Sequence, residues 1–412
     1  MSRDGLLKNI GQLATCVAPE DSANALGDAG LIERAALAWR DGRIVFAGTE
    51  AELPSEMADL PVHDAEGGLV VPGLVDCHTH LVFGGWRGDE FALRCAGASY
   101  LELAEAGGGI QSTVKATRAA SEDQLLEKAE AVCREMLSLG VTTLEGKSGY
   151  GLNFEDELKQ LRVYRRLSER IAQRLKVTFL GAHTLPPEFK DNRADYVQEL
   201  TERIMPAVVD EGLAEFCDVF VENTAFTRQE GEQILDTARR LGLGVKIHAD
   251  QLSDGGGASL AASRQAVSAE HLEYANQQGI AAMADAGTVA VSLPLASLYL
   301  NEPFLPARQF LDAGVPVAVA SDFNPGSAPS FHLPLAMTLA CIKQGMSPSE
   351  SLLGATRHAA KALAMSESAG CLKPGQPADF VCVDAPSLNH WLYHFRANAA
   401  RATWCAGIRY AT

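Results

Sequence analysis

Gly67-Gly68-Leu69-Val70-Val71-Pro72-Gly73-Leu74-Val75 runs directly into Asp76-Cys77-His78-Thr79-His80. The apolar run reads as a buried strand, and alternate side chains of a strand share a face. His78 and His80 therefore point the same way with Asp76 beneath them, while Cys77 and Thr79 point to the opposite side. Two imidazoles about 6–7 Å apart along one strand can close on a single divalent ion with bonds of about 2.0–2.1 Å. A bare His-x-His is equally compatible with two hydrogen-bonded structural histidines. The rest of the chain decides between these readings.

Downstream of Val75, short apolar runs alternate with helical segments. The spacing predicts strands at Gly73–His80, Val141–Glu145, Lys176–His183, Cys217–Glu222, Gly244–His248, Ala266–His271, Thr288–Leu293 and Pro316–Asp322. Eight strands separated by helix-length connections are the pattern of a closed (β/α)8 barrel. The helices carry start signals: Ser121 with Gln124 and Thr227 with Glu230 fit capping boxes, and Ser347 precedes a proline at the first helical position. Gly140 and Gly242 sit where a left-handed cap ends a helix. Leu125, Ala129, Val132 and Met136 form an apolar stripe that packs on the barrel.

Upstream, Asp41-Gly42 separates two short strands and supplies the positive φ of a tight hairpin. Beyond about residue 370 the chain returns to strand character, in Gly370–Asp384. The fold expected is therefore an α/β chain, a (β/α)8 TIM barrel with a small β-sandwich module built from both ends. The expected divisions are 1–72 and 366–412 for the module and 73–365 for the barrel.

Barrel active sites lie at the C-terminal mouth, where residues distant in sequence converge. His183 ends the third strand, His248 the fifth, His271 the sixth and Asp322 the eighth. His78, His80, His248 and Asp322 would give three neutral nitrogens and one carboxylate around one ion, leaving a coordination position open for water, as in catalytic sites. Two glycine triplets, Gly107–Gly109 and Gly255–Gly257, lack the lysine and hydroxyl spacing of a phosphate loop and read as ordinary loops.

The composition is that of a globular protein, 47% hydrophobic and 21% charged over 412 residues. A net charge of −17 argues against a nucleic-acid surface and against anionic membranes. No run reaches the length of a membrane span and no signal-peptide core stands at the N-terminus. Nine cysteines without a Cys-x-x-Cys pair favour reduced thiols, so a cytoplasmic protein is expected.

With these residues in view, the chain resembles the amidohydrolase superfamily of metal-dependent hydrolases. The segments Leu81–Arg87, Ala106–Thr113, Lys147–Gly151, Leu180–His183, His248–Ser253 and Ser321–Ser327 are more narrowly similar to the imidazolonepropionase family within it. The resemblance implies hydrolysis of the cyclic amide C–N bond of 4-imidazolone-5-propanoate to N-formimidoyl-L-glutamate, with no nucleic-acid or membrane partner and a homodimer as the family expectation. It also implies one divalent or trivalent metal ion per subunit, zinc or iron first among the candidates. Asp322 is placed to hold the metal and take a proton from water, and His271 to orient that water or stabilise an oxyanion. By carry-over, Arg87, Tyr150 and His183 bind substrate, with Asn324, Gly326 and Ser327 lining the same pocket. Gln251 stands where some relatives carry glutamate; an amide cannot transfer protons, so Gln251 is assigned to binding. Lys147 follows strand two, not strand four, and is not expected to be the bridging lysine of two-metal relatives. Glu222 closes strand four and is the residue to check for a second ion.

Overall fold

The computed structural model describes residues 3–17, 26–97 and 108–411. Ala106 and Gly107, at the start of the glycine-rich motif, lie outside the described residues. Strands β1 (Gly5–Ala14), β2 (Leu31–Arg40), β3 (Arg43–Thr49), β4 (Val62–Asp64) and β5 (Leu69–Pro72) precede the barrel. Its staves are β6 (Leu74–Asp76), β7 (Val141–Lys147), β8 (Arg174–Ala182), β9 (Phe216–Val221), β10 (Gly244–Ala249), β11 (Ser268–His271), β12 (Val289–Ser292) and β13 (Val317–Val319). Strands β14 (Phe380–Val383), β15 (Ala400–Cys405) and β16 (Ile408–Ala411) follow.

The staves pair in parallel in the order β6 to β13, as eight strand–helix repeats require. The first and last meet through a parallel bridge between Thr79 and Phe323, and the His80 amide donates to the Phe323 carbonyl at 2.8 Å. The regular part of β6 ends at Asp76, short of the expected Gly73–His80, so His78 and His80 lie just past the observed strand. The chain there stays hydrogen-bonded on both sides: Lys147 N–H donates to the Thr79 carbonyl and Asp322 N–H to that of His78. The extended course survives, and the two imidazoles keep a common side.

The terminal segments form one mixed sheet, ordered β16-β15-β14-β5-β1-β2-β3 with β4 beside β1. Strand β14 pairs antiparallel with β5, placing Phe380 opposite Pro72. The sheet thus holds both ends of the chain at the point where β5 leads into the first stave. Its core stacks Phe380 on Trp404 at 4.5 Å, with Trp39 tilted against Phe380 at 5.1 Å.

Local signals in the sequence explain the element ends. Asp41 and Gly42 both take positive φ, 48° and 73°, between paired Arg40 and Arg43, the geometry of a two-residue hairpin. Ser121, Thr227 and Ser347 each close a capping box with Gln124, Glu230 and Glu350. Gly140 and Gly242 follow helices at φ of 95° and 87°. Leu125, Ala129, Val132 and Met136 are all buried, as the stripe demands. All nine cysteines are free thiols. No helix among the described residues is long and apolar enough to cross a membrane.

Candidate metal centre and cleft

The barrel mouth opens into a cleft of about 620 Å³, within the size range of small-molecule sites. His80, His248, His271 and Asp322 form its floor, and Arg87, Tyr150, His183, Gln251, Asn324, Gly326 and Ser327 also line it. His78 is fully buried beneath.

Donor atoms of His78, His80 and His248 all lie within 4.8 Å of one another. Asp322 Oδ1 is 3.3 Å from His78 Nε2 and 3.5 Å from His80 Nε2. A tetrahedron with metal–ligand bonds of about 2.0–2.1 Å has edges of about 3.3–3.4 Å, so these separations suit ligands sharing one cation. Neither ring nitrogen of buried His78 has a hydrogen-bond partner, an arrangement costly without an acceptor for its lone pair. Burial, reinforced by the Lys147 charge, pushes the pKa values of His78 and His248 well below the usual histidine range and keeps their lone pairs free. Burial would raise the Asp322 carboxyl, but the hydrogen bond from His80 and the neighbouring His271 pull it below its ordinary value. Neutral imidazoles and an ionised carboxylate are the protonation states a metal needs. The donor set fits a divalent ion.

Beneath the imidazoles lies a buried charge network that the sequence did not reveal. Lys147 Nζ reaches Asp218 Oδ2 at 2.7 Å, Glu145 at 3.2 Å and Glu270 at 3.3 Å, and Lys246 Nζ reaches Glu145 at 2.7 Å. Two of these carboxylates face the Nδ1 side of the candidate ligands His78 and His248. Asp218 Oδ2 is 2.9 Å from His248 Nδ1 and Glu270 Oε2 is 3.6 Å from His78 Nδ1, close in distance though not aligned as hydrogen bonds. Such outer carboxylates bias the tautomer that presents Nε2 to a metal. Lys147 thus neutralises carboxylates; it is not itself a bridging ligand. The available signal was period-two alternation of ionisable residues inside apolar strands, Glu145 with Lys147 and Lys246 with His248.

Strain marks the same rim. Asp322 and His271 adopt φ of 55° and 73°, the left-handed region that non-glycine residues occupy only where surroundings enforce it. Burial would lower the His271 pKa, yet the Glu273 carboxylate, 3.7 Å away, raises it above the usual value.

On the opposite wall, His183 stacks on His80 at 5.2 Å and an interplanar angle of 15°, its Nδ1 facing the Gly149 carbonyl at 3.1 Å. Burial lowers the His183 pKa to about 3, so it is neutral. Tyr150 sits 5.9 Å from His80 and 5.4 Å from His183, and burial raises its phenol. Asn324 is committed to its own loop: its Nδ2 donates to the Asp322 carbonyl and Ser327 Oγ, and its Oδ1 accepts from the amides of Gly326 and Ser327. Glu222 is likewise engaged, accepting from Asn223 and Leu252 amides and the Ser253 hydroxyl, and it joins no metal-binding group among the described residues. His63, His332, His358, His390 and His394 do not line the cleft.

Residues 69–409 match the family model described as the amidohydrolase family. The chain belongs to the amidohydrolase family. Among curated members it is 49% identical to the imidazolonepropionase of Cupriavidus taiwanensis, over 90% of this chain and 88% of that protein. It is 47% identical to the imidazolonepropionase of Symbiobacterium thermophilum, over 95% and 93%. Solved amidohydrolase-fold structures share the architecture at low identity. Atrazine chlorohydrolase of Arthrobacter aurescens complexed with zinc aligns with a TM-score of 0.73 at 17% identity, over 98% of this chain and 94% of that one. An adenosine deaminase of Xanthomonas campestris with bound zinc gives 0.71 at 20%, over 98% and 92%.

Proposed function

We propose that this chain hydrolyses 4-imidazolone-5-propanoate to N-formimidoyl-L-glutamate, the activity named for the relatives it matches at 47–51% identity. The observation that carries the reading is a cleft at whose floor the His80, His248 and Asp322 side chains converge, with His78 just beneath them, and on whose wall stands an arginine. One end suits hydrolysis of a cyclic amide, and the other suits a carboxylate.

His78, His80, His248 and Asp322 are the residues assigned to hold the ion, with zinc or iron as the species. When bound, such an ion polarises a carbonyl and lowers the pKa of nearby water toward neutrality. The reaction consumes one water: its oxygen bonds to the ring carbonyl carbon, the C–N bond breaks, and the ring nitrogen gains a proton. Asp322, ionised at neutral pH, accepts the proton from the attacking water and returns it to the departing nitrogen. His271, held beside the Glu273 carboxylate, donates a ring N–H hydrogen bond to the oxygen on which negative charge develops. Arg87 pairs with the propanoate, since a guanidinium grips a carboxylate through two parallel hydrogen bonds. Tyr150 and neutral His183 form an aromatic wall for the flat ring, and Gln251 offers an amide to the ring nitrogens. Asn324, Gly326 and Ser327 line the substrate pocket together, and the hydrogen bonds of Asn324 also hold that loop in shape.

The test is the ultraviolet absorbance of imidazolonepropionate in the presence of purified, metal-loaded protein. Decay well above the spontaneous rate, with formiminoglutamate appearing and no ammonia released, is the expected result. Decay at the spontaneous rate would reject the assignment, and ammonia release would redirect it to a deaminase.

A further inference from the structure

We propose that Glu90 is a positioning residue for Arg87, fixing the guanidinium so that it meets a substrate carboxylate as a pre-set fork. This rests on the reading of Arg87 as the carboxylate-binding group. Arg87 leads into the helix Gly88–Cys95, none of whose residues is buried, so apart from Phe91 stacked on Tyr299 at 5.8 Å little apolar packing holds it in place. Its anchor is polar. Glu90 Oε2 accepts from Arg87 Nε at 2.8 Å and from the Gly109 amide at 3.1 Å, while Oε1 accepts from the Ser112 hydroxyl at 2.8 Å. Gly109 and Ser112 belong to the start of the helix Ile110–Ala119. One carboxylate therefore ties the arginine to a separate element across the cleft wall.

The pair is largely shielded, with the side chains of Arg87 and Glu90 only 20% and 16% exposed, so it escapes much of the screening that weakens surface ion pairs. Burial works against ionisation of Glu90, but Ser112, Arg87 and Gly109 together hold its carboxyl below the usual range. Glu90 takes the Nε side of the guanidinium. On the other side, Arg87 Nη1 lies so near Gly326 that a Cβ there would come within 2.2 Å of it. Arg87, Glu90, Gly109 and Gly326 all line the cleft. An arginine held at Nε has already lost the rotamer freedom that ligand binding would otherwise have to remove. The pair is also close to neutral, so a small anion gains little from it, whereas a carboxylate aligned on the guanidinium gains most.

The experiment compares wild-type protein with Glu90→Ala, Glu90→Gln, Arg87→Ala and the Arg87→Ala/Glu90→Ala double variant. It reads kcat and KM for imidazolonepropionate and the inhibition constants of 3-(imidazol-4-yl)propanoate and of 4-methylimidazole, which lacks the carboxylate. For Glu90→Ala we expect KM and the imidazolylpropanoate constant to rise on the order of tenfold, as for a lost charged hydrogen bond. The constant for 4-methylimidazole should stay unchanged, Glu90→Gln should be intermediate, and the double variant should be no worse than Arg87→Ala. Equal weakening of both inhibitors, or an unchanged KM, would overturn the role of Glu90. If Arg87→Ala itself leaves KM unchanged, the reading of Arg87 fails instead, and the two failures are distinct.

Discussion

The Asp322 amide donates to the His78 carbonyl at 3.0 Å, and Oδ1 of the same aspartate lies 3.3 Å from His78 Nε2. Backbone and side chain of one residue pair thus close the last stave on the first and bring two proposed ligands together. Asp322 reaches that position at a φ of 55°, and the surrounding hydrogen bonds must offset its strain.

Asp322→Asn keeps the shape and the backbone contacts but removes the proton acceptor and a negative ligand. We expect an intact fold by circular dichroism and a kcat lower by on the order of 10²–10⁴-fold, the usual range for lost acid–base catalysis. Turnover within a few-fold of wild type would show that Asp322 is not the base.

Metal removal should destabilise the whole barrel, because buried His78 is left with two unpartnered nitrogens. Restoring zinc at about a hundredfold excess over its Kd should regain about 2.7 kcal/mol of stability. Differential scanning calorimetry of chelated and reloaded protein reads this directly. An identical Tm in both states would mean that no ion bridges these staves.

Arg87→Ala should raise KM by about 10–100-fold, the equivalent of losing charge-assisted hydrogen bonds worth about 1.5–3 kcal/mol, while kcat falls less. Arg87→Lys should recover only part, since an ammonium lacks the planar fork. Gly326→Ala gives an independent check. Its new methyl would displace Arg87 Nη1, so KM should rise with Tm unchanged.

Much of this arrangement was legible before the structure. The eight staves, the capping boxes at Ser121, Thr227 and Ser347, and the Asp41-Gly42 hairpin follow from local rules that short sequence windows contain. Convergence of His78, His80, His248 and Asp322 was readable because a barrel sends strand ends to one mouth. Strand length was less readable: β6 stops at Asp76 as a regular element, and pairing with Lys147 and Asp322 keeps His78 and His80 extended beyond it. The network of Lys147, Lys246, Glu145, Asp218 and Glu270 was hidden because charges alternating along a strand normally indicate a solvent face. Only closure of the sheet turns that face inward. Glu90 was hidden for a related reason, since its partners Gly109 and Ser112 come near only through tertiary contact. Asn324, expected by resemblance to line the pocket, does line the cleft, and its loop hydrogen bonds were hidden because they form only once the chain turns after Asp322.

The Glu273 carboxylate raises the His271 pKa, which sets the sign of a pH effect. The protonated form of His271 is present at low pH and disappears as pH rises through the raised folded value. Glu273→Gln lowers that value, so the alkaline limb of the kcat/KM profile should move to lower pH while the acid limb stays. A limb that does not move would separate His271 from catalysis.

The most direct measurement is anomalous diffraction from crystals of metal-loaded protein, collected on both sides of the zinc or iron absorption edge. A single peak per chain bonded to His78, His80, His248 and Asp322, with solvent or an inhibitor in a remaining position facing Arg87, is the predicted result. A peak elsewhere, or an ion fully enclosed by protein ligands, would contradict it.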